Sequence, residues 1–259
     1  MAGQVRLSLH GPVARVTLSH PGRLGAMSRA MWRELREAFL AIQVDARLRC
    51  AVVAGEEGAF CAGGDIAEYP EFRFDPASLR AFHEDDVWGG LAAMLACEVP
   101  VVAAIGGACM GAGVEIACCC DLRIAASSAR FGAPIARLGF PMAPREAQLV
   151  AAVAGEATLR EMLLEAAQLD APEMKARGFL QRVVPDAQLA QEVQATVERI
   201  TRLAPQAARL SKRTLRRVAG GAPDAPPPAD LLASAYDYAD SAEHREGIAA
   251  FLDKRIPRF

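Results

Sequence analysis

The stretch from Val99 to Asp121, VPVVAAIGGACMGAGVEIACCCD, constrains the fold more than any other part of the chain. Val101 to Ile105 is a short, β-branched apolar run, which predicts a buried strand. Glycines follow at 106, 107, 111 and 113. Ala112 to Cys120 then predicts a helix of small residues that carries one charge, Glu115. A helix that opens on a glycine turn has unpaired backbone N–H groups and a partial positive charge at its mouth. Glycine also lets another group approach that backbone closely. Such a helix end can hold an anion or a developing negative charge, with Glu115 one turn inside it. The same residues equally suit a tightly packed strand–turn–helix without chemistry.

A second stretch weighs against the purely structural reading. Ala59 to Ile66, AFCAGGDI, follows another strand-like run, Cys50 to Ala54. Two strand-to-glycine turns can each present a backbone N–H to one oxygen, which is what an oxyanion hole requires.

The rest of the chain frames these turns as an α/β layered core with a helical C-terminal region. Alternation at Val5, Leu7, Leu9 and at Ala14, Val16, Leu18, around His10-Gly11-Pro12, predicts a β-hairpin. Ser28 caps an expected helix from Arg29 to about Val44, with Met31, Leu35, Ala38, Phe39 and Ile42 on one face. Residues 67–78, with Pro70, Pro76 and several aromatics, read as a mobile loop, and a helix is expected from Leu79 to Cys97. A strand at 122–125 is followed by an irregular, glycine- and proline-punctuated segment from Arg130. Helices are expected at 145–154 and 157–166, then one capped by Asp170 and ended by Gly178, then a short strand at 183–184. Helices over 187–203 and 205–218, a proline-rich linker at 220–230 and two further helices complete the chain.

Composition excludes several classes. With 52% hydrophobic and 23% charged residues in 259, the chain is long and apolar enough for a large core. A net charge of −2 supplies no basic field for nucleic acid or an anionic membrane. The N-terminal residues lack an apolar signal-peptide core, and no uncharged run is long enough to span a bilayer. Seven cysteines show no CxxC spacing, so buried thiols in a reducing cytoplasm are expected. His10, His20, His83 and His244 have no metal-ligand spacing and read as solvent-facing or structural. No GxxxxGK[ST], completed GxGxxG or GxSxG is present. What remains is two backbone donors and a carboxylate, a combination that suits a thioester enolate.

At these residues the chain resembles the crotonase, or enoyl-CoA hydratase/isomerase, superfamily. The motifs are AFCAGGDI (59–66), GACMGAGVEIA (107–117) and EGIAAFLDKR (246–255). The order of elements matches as well, so the resemblance covers nearly the whole chain. It implies a crotonase-like ββα spiral core that binds acyl-CoA (residues 1–190) and a helical C-terminal trimerisation region (191–259), in homotrimers or homohexamers. It also implies the backbone N–H groups of Gly64 and Ala112 as oxyanion donors, Ala112 standing where the family usually has glycine, with Glu115 as acid/base. Arg23 to Met27, RLGAM, resembles the segment that lies against CoA and brings in Arg23 and Ala26. Ala62, Gly63, Asp65, Ile66, Gly111 and Ile135 complete the implied substrate-binding set, and Lys254 matches a basic residue that meets the CoA nucleotide. The CoA thioester is the expected substrate. No separate cofactor, metal, nucleic acid or membrane partner is expected, and the expected location is the cytoplasm.

One departure bears on the reaction. Hydratases of the family carry a second glutamate after the proline of a segment like FGQPE; here the segment is Phe131-Gly132-Ala133-Pro134-Ile135. Ile135 removes a proton relay, leaving Arg137, Asp65 and Glu68 as the nearby ionisable groups. Enoyl-CoA hydration/dehydration is the expected reaction. The alternatives are double-bond isomerisation with a single glutamate, and binding of CoA esters with little turnover.

Overall fold

The computed structural model describes residues 2–219 and 225–259. A six-stranded sheet is its spine. It contains β1 (Gln4–His10), β2 (Val13–Ser19), β3 (Cys50–Gly55), β4 (Val101–Ile105), β6 (Leu122–Ala126) and β9 (Arg182–Val184), in the order β1-β2-β3-β4-β6-β9. The expected hairpin is β1–β2, antiparallel with Val5 opposite Leu18 and His10 opposite Val13; all later pairings in this sheet are parallel. A smaller sheet joins β5 (Ala108–Met110), β7 (Arg130–Gly132) and β8 (Gln168–Asp170). These three-residue strands fall where the sequence reads as turn or irregular, too short to show alternation.

The central strands are apolar on both faces because both are covered. Ala51, Val53, Val101, Ala103 and Ile105 belong to the main core with α1 (Arg29–Val44). Their alternates Cys50, Val52, Val102 and Ile124 pack under Val193 and Val197. Ser28 caps α1 as expected, accepting from Met31 N–H, and the buried face adds Trp32 to the predicted stripe.

The segment expected as a loop at 67–78 is instead structured. A 3₁₀ helix over Ile66–Glu71 is capped by Asp65, and α2 (Pro76–Ala81) is capped by Asp75. The aromatics hold it: the Tyr69 and Phe72 ring centroids are 5.8 Å apart, and those of Phe72 and Phe82 4.5 Å. The long helix expected over 79–97 is α2, a π-helical turn at Phe82–Val87 and α3 (Trp88–Ala96).

After α4 (Ala112–Cys119), a 3₁₀ turn at Pro134–Leu138 leads to α5 (Pro144–Ala154) and α6 (Glu156–Leu164). A capping box of Asp170 and Glu173 starts α7 (Ala171–Ala176). Next come α8 (Leu189–Thr201), α9 (Pro205–Val218), α10 (Ala229–Ala233) and α11 (Ala242–Leu252). Val193 and Val197, which cover the sheet, lie on α8, so packing continues across the division expected at 190. The linker expected at 220–230 lies partly outside the described residues. No helix among the described residues is long and apolar enough to cross a membrane.

Candidate active site

The two glycine turns lie side by side because β5 stitches them together. Phe60 and Cys61 N–H both donate to the Ala108 carbonyl, at 3.0 and 2.9 Å, and Met110 N–H donates to the Cys61 carbonyl at 2.8 Å. Gly111 then turns the chain from β5 into α4 at φ +46°, ψ −108°, a conformation that L side chains resist. A Cβ on Gly113 would sit 2.6 Å from the Cys61 carbonyl oxygen, so the close approach of α4 to the first turn requires glycine.

This arrangement frees two donors. Met27 N–H bonds the Gly63 carbonyl at 2.7 Å, and Asp65 N–H bonds the Met27 carbonyl at 2.8 Å. In that extended pairing the Gly64 N–H between them faces the other way. Ala112 is the first residue of α4, so its N–H has no intrahelical partner. Among the described residues neither amide donates to a backbone carbonyl. Gly64, Ala112 and Glu115 all line one cavity of about 200 Å³.

Glu115 is buried, and no group among the described residues hydrogen-bonds its carboxyl. Its pKa is pushed up to about 8, first by burial and second by the charge of Glu146. The N-terminus of α4 favours the carboxylate by about 1 kcal/mol, too little against the several kcal/mol that burial of a bare charge costs. Burial therefore holds a proton on the Glu115 carboxyl at neutral pH.

Glu146 and His83 line the same cavity; Glu146 stands outside the sequence expectations, and His83 is expected there only as a solvent-facing or structural histidine. Glu146 projects from the first turn of α5 and is only 3% exposed; its Oε1 is 3.0 Å from His83 Nδ1, a hydrogen bond. A signal for Glu146 does exist in the sequence. Glu146, Val150 and Ala154 are the buried residues of α5, at the i, i+4, i+8 spacing of a core-facing stripe. A carboxylate on such a stripe needs a reason. Arg73 also lines the cavity, its guanidinium 3.6 Å from the Phe140 ring centroid and 4.4 Å from that of Tyr69.

Of the sequence-predicted site residues, Ala62, Gly63, Gly64, Ile66, Gly111, Ala112, Glu115 and Ile135 line the cavity. Arg23, Ala26, Asp65 and Lys254 lie outside its lining. Asp65 is engaged by the Arg23 guanidinium and caps the 3₁₀ helix through Ala67 N–H. The Ala26 carbonyl accepts from His20 Nδ1 at 2.7 Å, and Lys254 follows α11. The other ionisable groups weighed as replacements at Ile135 are occupied elsewhere: Glu68 accepts from Arg29 N–H at the start of α1, and Arg137 donates to the Ala166 carbonyl.

The family model for enoyl-CoA hydratase/isomerase matches residues 9–259. The chain belongs to the enoyl-CoA hydratase/isomerase family. A probable enoyl-CoA hydratase of Mycobacterium tuberculosis is 32% identical over 249 residues, covering 95% of this chain and 94% of that protein. A crotonyl-CoA hydratase of Syntrophomonas wolfei is 30% identical over 249 residues, with the same coverage of 95% and 94%. Among solved structures, an enoyl-CoA hydratase/carnithine racemase from Magnetospirillum magneticum superposes with a TM-score of 0.93 at 38% identity, over 98% of this chain and 94% of that one. The expected crotonase-like fold is thus the observed one.

Proposed function

We propose that this family member adds water to, and removes it from, the double bond of a 2-enoyl-CoA thioester. The carrying observation is a buried carboxyl, Glu115, with its pKa pushed up to about 8, in one cavity with two backbone amides that have no backbone partner among the described residues. The thioester oxygen would accept from Gly64 N–H and Ala112 N–H, so that negative charge formed in an enolate meets donors already in place. Glu115, protonated at neutral pH, delivers its proton to the α-carbon in hydration and removes it in dehydration. Arg23, half-exposed while it holds Asp65 beside Gly64, and Lys254 are the proposed contacts for the CoA phosphates. Ile135 in the cavity lining favours a second reading, double-bond isomerisation with Glu115 alone.

Turnover of 2-enoyl-CoA and 3-enoyl-CoA thioesters by wild type and Glu115→Gln tests both readings. Hydration that collapses in the variant supports the first, and a preference for the 3-enoyl thioester supports the second. A variant as active as wild type refutes Glu115 as the proton carrier. Assembly into three or six copies is proposed through the C-terminal region, where Tyr236, Phe251, Leu252 and Ile256 are 72–85% exposed; a monomer in sedimentation would contradict it. The free, buried cysteines fit a reducing compartment, and the cytoplasm is the proposed location.

A further inference from the structure

Adding water to an enoyl thioester moves two protons, one off the water and one onto the α-carbon, and Glu115 accounts for only one of them. The residue after Pro134, Ile135, carries no proton. We propose that Glu146, held by His83, is the second acid/base group of this site, reaching the cavity from α5 rather than from the segment that follows β7. The inference rests on the hydration reading above.

Four observations carry it. Glu146 is nine-tenths buried yet faces the cavity that contains Glu115 and the two free amides. Its Oε1 is fixed by His83 Nδ1 at 3.0 Å. On the core-facing stripe of α5 Glu146 takes the place of an apolar residue, at a desolvation cost that one hydrogen bond offsets only in part. Its charge also reaches Glu115, so the two carboxyls share one electrostatic site. The other charged groups nearby leave this pair intact. On α5, Arg145 is tied to Glu84 at 2.9 Å, and Arg73 stacks on Phe140 and Tyr69.

The proton balance closes with these residues. The Glu146 carboxylate takes a proton from water as the water oxygen bonds to the β-carbon; the C=C π pair moves between the α-carbon and the carbonyl carbon, and the C=O π pair moves onto the thioester oxygen. When the enolate collapses, the oxygen pair re-forms the C=O bond and the enolate C=C pair bonds the Glu115 proton at the α-carbon. Glu146 then passes its proton through His83, whose side chain is 23% exposed, to solvent, and Glu115 is reprotonated. His83 is a positioning and relay residue; Glu146 is the catalytic one.

The test separates the two protons. Hydration of 2-butenoyl-CoA needs both groups, whereas exchange of the α-hydrogens of butyryl-CoA in D₂O needs only Glu115 and the amides. Glu146→Gln keeps a hydrogen bond to His83; it is expected to lower hydration by about 10²–10⁴-fold while butyryl-CoA affinity is retained and exchange persists, its pH dependence moving to lower pH as the Glu146 charge no longer raises the Glu115 pKa. Glu146→Asp should recover part of the hydration rate. His83→Asn should lower kcat with KM unchanged and alter the kcat–pH profile, which a purely structural histidine would not do. Hydration unchanged in Glu146→Gln overturns the inference, as does a variant that loses hydration and exchange in equal measure. Wild-type protein that neither hydrates nor exchanges overturns the hydration reading itself and this inference with it.

Discussion

Replacing Glu115 by Gln should make the protein's stability less sensitive to pH, with a size and a sign set by the site. The folded carboxyl holds its proton to about pH 8, against 4.5 in a solvated chain. Between those values the native state binds one proton more than the unfolded state, so this group makes stability fall as pH rises. Each such pH unit is about 1.4 kcal/mol, which bounds the full effect at roughly 5 kcal/mol. The loss begins near pH 4.5, is complete near pH 8 and grows no further above that. Glutamine has the shape of the protonated acid and cannot ionise. Urea unfolding of both proteins, followed by circular dichroism from about pH 5 to about pH 9, measures the difference directly. The variant should gain on wild type steadily to about pH 8 and hold a constant lead beyond it. In a Glu146→Gln background the slope should end at lower pH, because one of the two causes of the raised pKa is gone. A difference that does not change with pH, or one in which wild type gains as pH rises, would refute the burial argument.

A methyl group on Gly64 runs into the Tyr69 hydroxyl. Gly64→Ala should therefore displace one amide donor and cost about 10²–10³ in enoyl-CoA turnover, with part of the rate restored in Gly64→Ala/Tyr69→Phe. Lys212 is buried on α9 and donates to the Val99 carbonyl at 2.7 Å while pairing Asp121 at 2.6 Å. Lys212→Met should destabilise the protein by about 1–3 kcal/mol in chemical denaturation, since the Val99 carbonyl loses its donor and Asp121, a third exposed, keeps only its bond from Val101 N–H. Native protein should expose no reactive thiol to a disulfide reagent until it unfolds, because burial leaves all seven cysteines free but covered and pushes the thiols of Cys50, Cys61 and Cys120 up to about 12. One fast-reacting thiol in the folded state would contradict this.

Most of the frame was readable because it is written locally. Ser28 and the 3.6-residue stripe of α1 mark that helix to the residue, Asp170 and Gly178 bracket α7, and Pro205 opens α9. The apolar runs of β3 and β4 announce strands covered on both faces. The 67–78 segment reads as loop because prolines and aromatics look loop-like in isolation; Phe82, from another element, packs against its Phe72. β5, β7 and β8 were invisible because three residues cannot display a period, and their pairing is supplied by the chain around them.

The same distinction divides the site. Backbone donors are specified by conformation, and conformation at Gly111 and close approach at Gly113 leave a glycine pattern in a short window. A proton-transfer side chain is specified only by where its tip ends. Any element that walls the cavity can supply it, and α4, α5 and the Phe82–Val87 turn all do so. The position after Pro134 is therefore free to become Ile135 while a carboxylate arrives from α5. Its only local trace is a charged residue four and eight positions before Val150 and Ala154 on a buried stripe. The motif position after Pro134 holds no carboxylate, while the buried face of α5 carries one at Glu146. Where the proposed oxyanion donors are backbone amides, the proposed second acid/base group can come from a different element, α5, without any change to the two glycine turns.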